Sequence, residues 1–197
     1  MYTIIKFNRS LRNVIGYHEK KVTEGQAQCL VAGNFLKETE QLSLDDKLFH
    51  FQRRNDLNDN VARKTIHIFL SFHRKDRIDN EKMKDLVRDY MQEMGLSGQP
   101  YLFYRHFDAL NPHGHIVVSN IQRNGVKLQI QKKGYFRSSQ IAQQLNRKYA
   151  LTPSVARLPD EEWARLHPPQ QVIYGETPIR STIETVLNKV IPGYKYT

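Results

Sequence analysis

Three of the chain's eight histidines fall in one run, Arg105-His-Phe-Asp-Ala-Leu-Asn-Pro-His-Gly-His-Ile-Val-Val-Ser-Asn120. His113 and His115 are two apart, so on a strand both side chains leave the same face. Ile116, Val117 and Val118 follow directly, and β-branched residues fit a pleated, half-buried surface. His106 closes an aromatic run, Tyr101-Leu-Phe-Tyr104, and a break at Ala109-Leu-Asn-Pro112 separates it from His113. If the two strands pair, His106 folds onto the face that carries His113 and His115. Three imidazoles without a fourth protein ligand leave positions open on a divalent ion, as at a catalytic metal rather than a closed structural one. A structural zinc would want a fourth ligand, and the single cysteine, Cys29, is far off in sequence with no partner at a recognisable spacing. Asp108 could accept a proton from the far nitrogen of a ligand histidine and so fix its tautomer, or it could act as a base. Asn120, and more loosely His67, read as groups standing behind the ligands; for His67 a satisfied sheet histidine is the plainer reading.

The elements that must position these groups can be traced in order. Tyr2-Thr-Ile-Ile-Lys-Phe7 alternates as a first strand. Ser10 caps a short helix with Leu11, Val14 and Ile15 on one side, expected to stop at Gly16 and to leave Tyr17 at an element end. Ser43 opens a second helix through Leu44, Leu48 and Phe51, with Asp45 and Asp46 at its positive end. Thr65 to Phe72 is a strand apolar on both faces. Asp79 caps the clearest helix, in which Met83, Leu86, Val87, Tyr90, Met91 and Met94 recur at helical spacing before Gly95. Asn124-Gly125 between Val118–Ile121 and Val126–Ile130 predicts a hairpin that gives the His113 strand a neighbour. A further helix, capped by Ser138 or Ser139, packs through Ile141, Leu145 and Tyr149. Beyond Leu151 the chain reads as irregular, with a turn near Asp160–Trp163 and a last helix from Thr177-Pro178 to Pro192-Gly193.

Composition narrows the class. A length of 197 residues suits one domain with a sizeable core. Thirty Lys and Arg against twenty Asp and Glu give a net charge of +10, and an excess of that kind points toward a polyanion. One cysteine excludes an intrachain disulfide framework. With no apolar run near eighteen residues, no spanning segment is expected. Arg53 and Arg54, and the cation–aromatic mixture Lys132-Lys133-Gly-Tyr135-Phe-Arg137, suit single-stranded DNA, with charges following phosphates and rings accepting unstacked bases.

The pattern His-x-Asp-(x)4-His-x-His with a following Asn, formed by His106, Asp108, His113, His115 and Asn120, resembles the three-histidine motif of bacterial mobilisation relaxases, the MOBP-like branch of the HUH endonucleases. The resemblance extends to Asn13-Val-Ile-Gly-Tyr17-His-Glu-Lys-Lys-Val22, similar to the segment bearing that family's nucleophilic tyrosine, and to Thr65-Ile-His-Ile-Phe-Leu-Ser-Phe72. One departure is Gly114, where an apolar residue commonly sits; weaker local packing is expected there. The resemblance implies an α+β fold, a central mainly antiparallel sheet with helices packed mainly on one face, and the histidine face open to DNA. It implies that residues 1–197 form a single relaxase domain, the N-terminal part of a longer protein in the bacterial cytoplasm. It also implies Tyr17 as nucleophile, His106, His113 and His115 as ligands of Mn²⁺ or Mg²⁺, a 5′-phosphotyrosine adduct, and single-stranded or locally melted DNA at an origin of transfer as substrate. Accessory mobilisation and coupling proteins would be partners. Tyrosine ordinarily titrates near pH 10, so a neighbouring cation or base must help it ionise. A replication initiator of the same superfamily, a metal-dependent nuclease using water and a non-catalytic basic DNA-binding module are the competing readings.

Overall fold

The computed structural model describes residues 1–130 and 134–152. Five strands, β1 (Tyr2–Asn8), β2 (Ala27–Gly33), β3 (Thr65–Ser71), β4 (Tyr101–His106) and β5 (His113–Ser119), form one sheet in the order β1-β3-β5-β4-β2 with every neighbouring pair antiparallel. Four helices, α1 (Leu11–Thr23), α2 (Leu44–Asn55), α3 (Asn80–Glu93) and α4 (Gly134–Lys148), complete the α+β architecture. β5, the histidine strand, is central, which fixes its side chains from both edges.

Alternation sorts each strand onto two faces. Ile66, Ile68 and Leu70 of β3, Ile116 and Val118 of β5 and Tyr101 and Phe103 of β4 meet α3 and α4 through Met83, Leu86, Tyr90, Ile141 and Leu145. This is the larger core, and each such side chain fully removed from water stabilises the fold by about 1.5–3 kcal/mol. The opposite face carries the histidines. It is not left bare: α1 and α2 cover part of it, packing Leu11, Ile15, Leu48 and Phe51 on Leu102, Tyr104 and Val117.

Several local expectations are corrected. α1 runs on through Gly16 to Thr23, because Leu11, Ile15 and His18 continue one buried stripe. That burial outweighs a glycine penalty of about 1 kcal/mol, and Tyr17 is therefore mid-helix. β2, not expected from the sequence, pairs with β4 along an edge. The Asn124-Gly125 turn forms, with Gly125 at φ +78, but residues 126–130 add only an isolated bridge, Ile121 to Lys127. The neighbours of β5 are β3 and β4. α4 starts at Gly134, so Ser138 is no cap; it is buried and hydrogen-bonded to Tyr90 and Thr3. The turn near residue 160 and the last helix expected from residue 177 lie outside the described residues. By contrast Ser43 caps α2 in a full capping box with Asp46, and Asp79 caps α3.

Gly114 explains itself in this arrangement. A Cβ there would run into the Phe103 ring and lie 2.8 Å from the Tyr104 carbonyl oxygen. Packing between the paired histidines is thus supplied by Phe103 from the next strand, not weakened. Gly114→Val is expected to destabilise the fold by about 1–3 kcal/mol through overpacking, read as a lowered urea midpoint at unchanged m-value. An unchanged midpoint would mean that Phe103 moves aside freely.

Candidate histidine metal centre

The β4–β5 register sets His106 directly opposite His113, and His115 follows on the same face of β5. β3 contributes His67 diagonally, since His115 pairs with Phe69 and Val117 with His67. α1, lying over this face, adds His18, which is fully buried. His67 Nε2 is 2.9 Å from His115 Nδ1, His18 Nε2 is 3.3 Å from His67 Nε2, and His18 Nδ1 is 3.0 Å from His106 Nε2. Two triads result, His106/His113/His115 and His18/His67/His115, and within each the candidate ligand atoms all lie within 4.8 Å of one another.

Burial keeps His18, His67, His106 and His115 neutral. Desolvation, reinforced by neighbouring histidines and Lys21, pushes His18 down to about 2 and His106 to about 4; desolvation and Lys6 bring His67 to about 4. His115 is lowered further still, by burial and then by His18 and His67. A neutral imidazole keeps a lone pair, so the donor set suits a divalent cation. The far nitrogens have partners too. His113 Nδ1 lies 3.0 Å from the Asn111 carbonyl oxygen, His115 Nδ1 faces His67, and His106 Nδ1 is 3.7 Å from Asp108 Oδ1. Each partner favours presentation of the opposite nitrogen, Nε2.

Asp108 sits 3.2 Å from His113 Nε2 and is paired with Lys21, whose ammonium holds its carboxyl below the usual range. Lys21 is one helical turn beyond Tyr17, with Nζ 5.5 Å from the tyrosine ring centre. Tyr17 is half-exposed at 51%, and its ring centre stands 6.2 Å from that of His106. The helix that carries it is pinned from below. His18 stacks on Tyr104 with ring centres 4.8 Å apart, and Glu19 accepts hydrogen bonds from Tyr104 Oη and the buried Lys47 Nζ.

The other expected residues scatter. Asn120 is not behind the ligands: five residues beyond His115, it donates to the Arg63 carbonyl and ties down the lead-in to β3. Arg53 is exposed on α2 beside Phe49, whereas Arg54 is half-buried and donates to Gln99. Lys132 and Lys133 lie outside the described residues. Tyr135 and Arg137 are on α4, in the helix layer of the opposite face, and Arg137 donates to the Glu93 carbonyl. His18 and Lys21 were not foreseen. The signal was there, since they are one and four residues beyond Tyr17, but it is legible only if α1 continues past Gly16.

A cleft of about 740 Å³ opens on the histidine side between the start of α1, one flank of α2 and the lead-in to β3. Arg9, Arg12 and Lys64 line it with Gln52, Asn55 and the exposed ring of Phe49.

Residues 17–151 match the family model described as relaxase, MobA/VirD2-like, nuclease domain. No curated protein matches the chain.

Proposed function

Because the chain belongs to the MobA/VirD2-like relaxase family of DNA-nicking enzymes, we propose that it nicks one strand at an origin of transfer by tyrosine transesterification and later rejoins it. The observation that carries this reading is a half-exposed tyrosine on a pinned helix beside a cluster of converging imidazoles. His106, His113 and His115 would hold a divalent ion, Mn²⁺ or Mg²⁺, through ring-nitrogen lone pairs. When bound, that cation withdraws charge from the non-bridging oxygens of the scissile phosphate. Tyr17 Oη attacks phosphorus as the bond to the 3′-oxygen breaks, leaving a 5′-phosphotyrosine and a free 3′-hydroxyl. The ester conserves the phosphodiester energy, so the reverse attack by the 3′-hydroxyl reseals the strand without ATP.

Lys21, with Nζ 5.5 Å from the Tyr17 ring centre, supplies a positive charge beside the attacking group. Asp108, held ionised by Lys21, is a weak base; it stands 3.7 Å from the far nitrogen of His106, Nδ1, and suits orienting that ring. His67 does the same for His115. Single-stranded or locally melted DNA runs from the cleft lined by Arg9, Arg12 and Lys64, past Arg53 and Phe49, toward Tyr17. The reading places this activity in the bacterial cytoplasm, with accessory mobilisation and coupling proteins as partners. Among the described residues no helix is long and apolar enough to cross a membrane.

The test is incubation with Mn²⁺ and a single-stranded DNA pool that includes sequence flanking the parent gene. A denaturant-resistant protein–DNA adduct is expected, and sequencing its DNA gives the nick site. Cleaved DNA without an adduct would overturn the transesterification and point to water as nucleophile. For the DNA path, Arg12→Ala should weaken single-strand binding and make the plot of log K against log salt shallower by about 0.7. An unchanged slope in fluorescence anisotropy would take the cleft off the path.

A further inference from the structure

The second triad is not needed by the nicking site, yet its ring nitrogens stand close together. His67 Nε2 faces two ring nitrogens at once, His18 Nε2 at 3.3 Å and His115 Nδ1 at 2.9 Å. Hydrogen bonding cannot serve both contacts well. A ring nitrogen carries either one N–H or one lone pair, so it completes one good hydrogen bond and leaves the other nitrogen facing it unsatisfied. A cation satisfies all three. Two nitrogens bound to one ion at about 2.1 Å stand about 3.0–3.4 Å apart for octahedral to tetrahedral angles, close to the spacing seen. The three rings come from α1, β3 and β5, so the fold itself, rather than one flexible segment, sets their convergence. Buried surroundings and an all-imidazole donor set favour a transition-metal ion over Mg²⁺, which demands oxygen ligands and water.

From this geometry we propose that His18, His67 and His115 form a second, inner position for a divalent transition-metal ion, alternative to the outer position of His106, His113 and His115. The inference rests on the outer triad being the nicking site. The two positions compete for His115. They are opposed through His18 as well. With its Nε2 on an inner ion, the remaining N–H of His18 is on Nδ1, 3.0 Å from His106 Nε2, and it engages the lone pair that the outer position requires. An ion held inside therefore leaves the outer ligands occupied, and the ion must move out for the strand to be cut.

The test uses the full chain, Co²⁺ alone as probe, equilibrium dialysis with visible absorption, and four proteins: wild type, His113→Ala, His67→Gln and the double variant. Far-UV circular dichroism and melting temperature check each fold, and His18→Gln replaces His67→Gln should the latter unfold. His113→Ala, with the outer position crippled, should still bind one Co²⁺ within about tenfold of the wild-type affinity, and the double variant should lose at least about 100-fold more. Loss of Co²⁺ binding in His113→Ala alone would overturn the inner position while leaving the outer one standing. Equal binding by His113→Ala and the double variant would also overturn it, by placing the residual ion elsewhere. If His113→Ala binds Co²⁺ and also nicks DNA like wild type, the inner position survives and the outer reading fails.

Discussion

Tyr17→Phe is expected to abolish the covalent protein–DNA adduct and to slow nicking at least about a thousandfold, about 4 kcal/mol of transition-state stabilisation, while leaving cation and DNA affinity within about twofold. The change removes one oxygen from a half-exposed ring and nothing from the buried side of α1. That side is held by Ile15 in the small core, by His18 against Tyr104, and by Glu19 against Lys47 and Tyr104. The helix therefore keeps its place, and the variant isolates the nucleophile from the scaffold. Such anchoring matters to rate because an attacking oxygen held in line with the scissile bond avoids the orientational cost of a free encounter. A denaturing gel with labelled DNA reads the adduct directly. If it persisted, the nucleophile would be elsewhere. Tyr135 lies on α4 in the other layer, whereas Tyr2 packs on Phe69, which lies against His113 and His115, so Tyr2 would be the next residue to replace.

The outer triad was legible because strand periodicity alone puts His113 and His115 on one face, and a short break returns the chain with His106 opposite. No contact information is needed for that step beyond pairing of the two strands. Tyr17's setting was not legible, for a reason that can be named. Gly16 is a helix-stopping residue by local propensity, and the stripe Leu11, Ile15, Val22 has His18, a polar residue absent from any apolar count, at the position that links its two halves. Once α1 is cut short, the relation of Lys21 to Tyr17 across one turn disappears, and with it the pairing of Lys21 to Asp108. Asp108 was left open between base and orienting group for the same reason, since the cation that depresses its pKa comes from 87 residues away.

Other misplacements share one cause, the use of local composition where tertiary packing decides. Residues 126–130 have the alternation of a strand, but β3 and β4 already occupy both edges of β5. β2 carries a mixed sequence, Ala-Gln-Cys-Leu-Val-Ala-Gly, with a register shift between Cys29 and Val31, so its period is broken where it would have been read. Asn120 sits at the end of the motif in sequence, but five extended residues carry it well clear of the rings, where its amide holds backbone instead. Tyr135 and Arg137 look suited to nucleic acid in one dimension and belong to the wrong layer in three. The basic residues that line the cleft on the histidine side, Arg9, Arg12 and Lys64, are spread over 56 positions of sequence and make no run that composition could flag.

His113→Ala tests the site from the opposite end. Nicking should fall roughly a thousandfold, about 4 kcal/mol, because the ring removed presents Nε2 to the outer position and is itself held at Nδ1 by the Asn111 carbonyl. The fold should tolerate the change. β5 is paired on both edges, and the aliphatic residues on its other face, Ile116 and Val118, are untouched. DNA affinity and its salt dependence should also stay put, since the formal charge of +10 counts histidines as neutral and no phosphate-binding cation is lost. The two variants fail differently under one added variable. Raising Mn²⁺ should recover part of the nicking by His113→Ala, because a weakened ligand set can be filled by mass action, and should recover none in Tyr17→Phe, where the missing group is the nucleophile. Wild-type nicking by His113→Ala at low Mn²⁺ would remove the outer triad from the mechanism. Recovery of Tyr17→Phe by Mn²⁺ would instead mean that water attacks, turning the enzyme from one that can reseal its cut into one that cannot.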